Sequence, residues 1–257
     1  MASLSTATVE EPPSSRLRAS IRIAGLGFWF LLCIIPHALS SLAGRSRWPR
    51  RFMRGAAAIC GADVHCEGQP ASRGTLLIAN HVSWLDIPVL AAATGCAFVA
   101  KAELARQPLI RWFAGQNETL FVDRADRRSI RGQAAALATA LKGDRPVTVF
   151  PEGTVGGGRL LPFKPSLLAT VAPPPEGILI RPAAIDYGRF GQRIGWATGE
   201  PGVSNFLRIL GRRGRFSVTV RLLPALPPSP DRKELARAAH DAIAAALAPS
   251  DMAPARV

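Results

Sequence analysis

The apolar run Thr75-Leu76-Leu77-Ile78-Ala79 breaks abruptly at Asn80-His81-Val82-Ser83-Trp84-Leu85-Asp86, and a second apolar run follows from Ile87 to Ala93. That pattern is a strand, a sharp polar break and a helix. Pro88 favours a helix start close to Asp86, because its missing N–H costs nothing in the first turn. On one straight helix a His and an Asp five positions apart would point roughly 140° away from each other. At a strand-to-helix turn they can meet: His81 lies in the loop, Asp86 at the helix start. The carboxylate can then take the proton of one ring nitrogen and leave the other as a base. The same residues also fit a structural reading, with Ser83 capping the helix and Asp86 closing a capping box.

Around this junction apolar runs and helical patterns alternate. Strands are expected at 75–79, 97–100, 119–122, 147–150, 178–185 and 216–222, and helices at 86–94, 103–115, 127–142, 164–171 and 231–247. Such alternation argues for an α/β sheet with helices on its faces.

Three other strand-like runs end in charged or glycine-bearing residues: Phe98-Val99-Ala100-Lys101, Phe121-Val122-Asp123-Arg124 and Val149-Phe150-Pro151-Glu152-Gly153-Thr154. With Asn80-His81-x4-Asp86 before them, in this order, they resemble the glycerolipid acyltransferase family that includes the lysophosphatidic acid acyltransferases. The resemblance spans roughly residues 46–225. It implies a mixed, mostly parallel sheet flanked by helices, and a reaction that moves a fatty acyl chain from acyl-CoA or acyl-carrier protein to a lysophospholipid hydroxyl. The acceptor it implies first is 1-acylglycerol-3-phosphate, with another lysolipid such as a lyso-ornithine lipid as the alternative. No cofactor and no metal are called for.

Roles follow residue by residue. His81 is the candidate general base and Asp86 its orienting partner. No Gly-x-Ser-x-Gly elbow accompanies them, so direct transfer without an acyl-enzyme is the simpler mechanism. The resemblance places the acceptor's phosphate on Arg124 and on Glu152, Gly153 and Thr154, and a guanidinium suits a phosphate by its planar fork. Glu152 would repel a phosphate. It is expected instead to hold a cation, Arg124 or Lys101, or to order its loop. Where the family usually has Arg or Ser after the Thr, this chain has Val155-Gly156-Gly157-Gly158 and then Arg159. Either Arg159 supplies the missing cation across a flexible loop, or the acceptor headgroup differs. Ile180-Arg181-Pro182 matches the family's fourth motif and adds Arg181 to the substrate-binding set, together with Lys101.

The remainder concerns surroundings. A net charge of +14 is carried almost wholly by arginine and favours polyanions, either nucleic acid or anionic lipid headgroups. No zinc-finger, helix-turn-helix or aromatic RNA-binding pattern accompanies it, so a membrane is expected and nucleic acid is not. From Ile23 to Gly44 the chain has no charged residue other than His37, enough to reach across a hydrocarbon core, although Pro36, Ser40 and Ser41 point to a kinked, shallow or re-entrant segment. Arg16, Arg18 and Arg22 precede it and Arg45, Arg47, Arg50, Arg51 and Arg54 follow, a bias that favours an anchor with the main domain on the cytoplasmic face of the inner membrane over a cleaved signal peptide. An amphipathic helix is expected from Trp48 to Ala62. Cys33, Cys60, Cys66 and Cys96 form no Cys-x2-Cys pair and read as reduced structural residues. The expected organisation is a disordered tail over 1–20, a membrane-associated helical segment over 21–60, a catalytic domain over 61–230 and a C-terminal helix and tail over 231–257.

Overall fold

The computed structural model describes residues 14–42, 46–122 and 130–248. The junction forms as its pattern dictates. Strand β2 (Thr75–Ala79) is buried along its whole length, and helix α3 (Asp86–Thr94) follows the polar turn. Gly95 ends α3 in the left-handed conformation, φ 71°, with its N–H on the Ala91 carbonyl; a side chain there would be strained.

Seven strands make one sheet, in the order β1-β7-β6-β2-β5-β3-β4. They are β1 (Ala62–Glu67), β2, β3 (Ala97–Lys101), β4 (Leu120–Val122), β5 (Val147–Val149), β6 (Leu179–Asp186) and β7 (Phe216–Leu222). Every pairing is parallel except β6 with β7. The sheet is thus mixed and mostly parallel, as expected. β1 was not anticipated. It is an edge strand paired only with β7, and its residues become progressively exposed towards Glu67, so no apolar run betrays it.

The pleat separates two cores. Leu77 and Ala79 face a cluster shared with α3, with α2 (Trp48–Ile59) and with α7 (Gly202–Gly211); Leu76 and Ile78 face one shared with α5 (Ile130–Leu141), a 3₁₀ turn at Pro165–Val171 and α8 (Arg232–Leu247). The stretch expected as a single helix over 103–115 is a 3₁₀ turn, Ala102–Arg106, and then α4 (Pro108–Gln116). Pro108 forces the break, because it holds Gln107 extended (ψ 113°). The helix expected at 164–171 tightens into the 3₁₀ turn.

The N-terminal helix α1 (Arg16–Leu42) starts inside the stretch expected to be tail and runs unbroken through Pro36. It is bonded to the domain along its length. Arg22 donates to the carbonyls of Leu210, Arg212 and Gly214, filling the C-terminal end of α7. Trp29 Nε1 donates to the Phe52 carbonyl at 3.1 Å. Phe30 packs edge-on against Phe52 and Trp112, and His37 meets Gln116 of α4 at 2.6 Å. The opposite side of α1 leaves Phe28, Leu31, Leu32, Ile35 and Leu39 exposed.

Candidate active site

β2 and β5 lie side by side, with Ile78 opposite Val149. Their carboxyl ends therefore deliver Asn80-His81 and Phe150-Pro151-Glu152 to one place, the position where open α/β sheets bind ligands. Asn80 extends the ladder towards β6: its side-chain amide donates to the Ile185 carbonyl at 3.0 Å and accepts the Ile185 N–H at 2.7 Å.

His81 and Asp86 meet. Nδ1 of His81 lies 2.8 Å from Oδ2 of Asp86, the ring half-buried and the carboxylate fully buried. The same Oδ2 accepts the N–H groups of Val82 at 2.6 Å and Ser83 at 2.9 Å, while Oδ1 accepts the Tyr187 hydroxyl at 2.7 Å. Asp86 therefore closes the turn through Val82 and Ser83 and meets His81 as well, whereas Ser83 does not cap α3, whose N-cap Leu85 has no side-chain cap. Tyr187 is buried, and burial beside Asp86 pushes its phenol well above its ordinary range; it stays a proton donor. The imidazole stacks on Phe150, centroids 4.2 Å apart. With Nδ1–H committed to Asp86, Nε2 is the nitrogen left for chemistry.

His81 lines a cleft of about 480 Å³ together with Phe98, Lys101, Gly153, Thr154 and Trp196. Lys101, Gly153 and Thr154, expected at the substrate, thus stand in the same wall as the candidate base. Glu152 takes the loop-ordering role. Its two oxygens accept the His81 N–H at 2.8 Å and the Leu161 N–H at 3.3 Å, and among the described residues it holds no cation. Burial pushes its carboxyl up to about 7, against the pull of those two N–H groups.

Two expectations change. The glycine run 156–158 is not a flexible loop. The Gly156 N–H donates to the His81 carbonyl at 3.3 Å, and a β-carbon built on Gly158 would lie 2.6 Å from the Gly191 carbonyl oxygen. The glycines permit a close backbone crossing. Arg159 beyond them has an exposed side chain and does not line the cleft. Arg181 is a clamp: its guanidinium is buried and donates to the carbonyls of Gln69, Leu222 and Leu223, which leaves it no place in the substrate-binding set. Arg124 lies outside the described residues. Sequence reasoning missed Tyr187 and Trp196. Tyr187, the chain's single tyrosine, stands right after a predicted strand, which was a usable signal; Trp196, in an irregular segment, had none. Among the described residues no cluster of His, Cys, Asp or Glu could hold a metal.

Comparison with known proteins gives the family and the fold. The profile of a family described as Acyltransferase matches residues 62–186. A lyso-ornithine lipid O-acyltransferase of Pseudomonas aeruginosa is 36% identical over 209 residues, 79% of either chain. One of Brucella abortus is 32% identical over 238 residues, 84% of this chain and 89% of that one. A 1-acyl-sn-glycerol-3-phosphate acyltransferase of Neisseria gonorrhoeae is 36% identical over 118 residues, 44% of this chain and 46% of that one. The fold is similar to that of the crystal structure of the 1-acyl-sn-glycerophosphate acyltransferase of Thermotoga maritima, with a TM-score of 0.63 at 19% identity, over 92% of this chain and 99% of that one.

Proposed function

Because the chain belongs to the glycerolipid acyltransferase family, and is thus an O-acyltransferase, we propose that it transfers a fatty acyl chain from a thioester donor to a lysolipid hydroxyl by direct attack, with His81 as base. The observation that carries this is the His81 Nδ1–Asp86 Oδ2 bond of 2.8 Å at the wall of an open cleft. Nε2 takes the proton of the acceptor hydroxyl as its oxygen attacks the thioester carbonyl carbon. Asp86 holds the ring and stabilises the imidazolium. The tetrahedral adduct then collapses, the carbon–sulfur bond breaks, and the departing thiolate recovers the proton from Nε2. Acyl-CoA and acyl-carrier protein both fit this chemistry as donor.

For the acceptor, a lyso-ornithine lipid is the better reading. In sequence, the two relatives with that name match over more than two thirds of both chains, and the glycerophosphate-named one of Neisseria gonorrhoeae over less than half. The departure from the family pattern at Val155-Gly156-Gly157-Gly158 also sits where a phosphate would be held. The membrane is met by the exposed side of α1. The bonds of α1 to the domain at Arg22, Trp29 and His37 support a seat in the interface rather than a span, although the helix is long and apolar enough to cross; the flanking arginines favour the cytoplasmic face. The organisation into a membrane-seated N-terminal segment, a catalytic domain and a C-terminal helix is part of the same proposal. The test is purified protein with labelled acyl-CoA or acyl-carrier protein and a panel of lysolipids. Label is expected in the ornithine lipid; transfer to 1-acylglycerol-3-phosphate alone would reverse the acceptor, and transfer to neither would remove the function.

A further inference from the structure

A second cleft, of about 610 Å³, opens beside the first and is lined by Glu152, Thr154, Phe163, Lys164, Arg232 and Lys233, among others. Thr154 lines both clefts. We propose that this second cleft binds the phosphate of the acyl donor's pantetheine arm, a group that acyl-CoA and acyl-carrier protein share. The inference rests on the acyl-transfer reading above.

Lys164, Arg232 and Lys233 are exposed, and none has an ion pair among the described residues. Arg232 and Lys233 occupy the first turn of α8, where the helix dipole disfavours cations and favours an anion. Among the described residues the nearby acids form no ion pair with them: the Asp231 side chain caps the Lys233 N–H at 2.7 Å, and Glu234 accepts the Ser229 hydroxyl at 2.6 Å. Lys164 lines the same cleft. Its Nζ stands over Gly153, where a built β-carbon would lie 3.2 Å from it. Three cations without an ion pair among the described residues thus line a cleft that abuts the loop holding His81.

The position separates a soluble donor from a lipid headgroup. α8 and the Pro165–Val171 turn pack on the core that Leu76 and Ile78 face; α2 and α7, on which α1 lies, pack on the opposite core. The cations therefore stand on the face of the sheet turned away from the apolar side of α1, open to water-borne ligands.

The test is equilibrium binding of a non-transferable acyl-CoA thioether and of the matching acyl-phosphopantetheinyl carrier protein to the full-length protein and to Lys164→Ala/Arg232→Ala/Lys233→Ala. Thermal melting confirms that the variant folds. Loss of charge-assisted contacts to a phosphate predicts affinity lower by at least about ten-fold for both ligands, with a weaker salt dependence. In catalysis, the preference of the wild type for acyl-4′-phosphopantetheine over acyl-pantetheine should shrink by a similar factor. Equal binding by wild type and variant overturns the proposal. A loss confined to the carrier protein makes the patch a dock for an acidic protein surface and overturns it too, as does a loss seen only on anionic lipid vesicles. Because binding is read without turnover, an enzyme that binds the thioether but acylates no lysolipid would sink the reaction and leave this site standing.

Discussion

Asp86 accepts hydrogen bonds from His81, Val82, Ser83 and Tyr187 at once, so its replacement disturbs the turn as well as the base. His81→Ala should lower turnover by at least about 10² while the protein melts normally; near-normal transfer by that variant would remove His81 as the base. Asp86→Asn should be as severe, because a neutral amide cannot stabilise the imidazolium that forms on His81. Tyr187→Phe discriminates more finely. Without the phenol, Oδ1 of Asp86 loses its donor and the carboxylate that orients His81 is held less firmly. kcat should fall while the acceptor KM stays put; a fall in thermal stability with an unmoved kcat would make Tyr187 merely structural. The pair was legible in the sequence because its two members are local, on one turn. The third member was not, because Tyr187 arrives from β6, a hundred residues on, through tertiary packing.

At the scale of elements, the buried strand β2 read clearly, since Leu76 to Ala79 is a continuous apolar run, and β5 and β6 read from apolar residues that outweigh Thr148 and Arg181. The edge strand β1 and the helix α7 did not: β1 is half exposed, and α7 starts behind Pro201-Gly202, which reads as a turn. The loop after β5 was read in reverse, as flexible where it is pinned. Its pin, Glu152, has a pH signature. A carboxyl that titrates near 7 in the folded protein and in the ordinary range when unfolded binds more protons folded than unfolded between those values. Stability therefore falls as pH rises from about 4.5 to about 7, and is level above. Glu152→Gln should flatten that part of the melting-temperature profile, and it should also weaken the loop, because an amide offers one acceptor to two N–H groups. A wild-type profile that rises through this range would contradict the buried, N–H-bonded carboxylate.

The whole molecule sorts its surfaces by solvent. One side of the sheet carries α2 and α7 with α1 laid over them; the other carries α8 and the three cations of the second cleft. Removing α1 is a poor probe of membrane binding, because Trp29 and Arg22 are bonded into α2 and the end of α7 and their loss would cost stability. Gly55 shows how close that contact is: a β-carbon there would sit 2.0 Å from Trp29 Nε1. The exposed side of α1 can be changed without touching it. Phe28, Leu31 and Ile35 are 64%, 61% and 67% exposed and lie along one stripe. Each buried apolar side chain is worth about 1.5–3 kcal/mol, so Phe28→Ser/Leu31→Ser/Ile35→Ser should lower partitioning onto anionic vesicles by well over about a hundred-fold, with the melting temperature little changed. The flanking arginines should leave a residual binding that high salt removes. Retention of the variant on vesicles in high salt would move the membrane seat off α1, leaving the exposed Leu109 and Trp112 of α4 as the next surface to substitute.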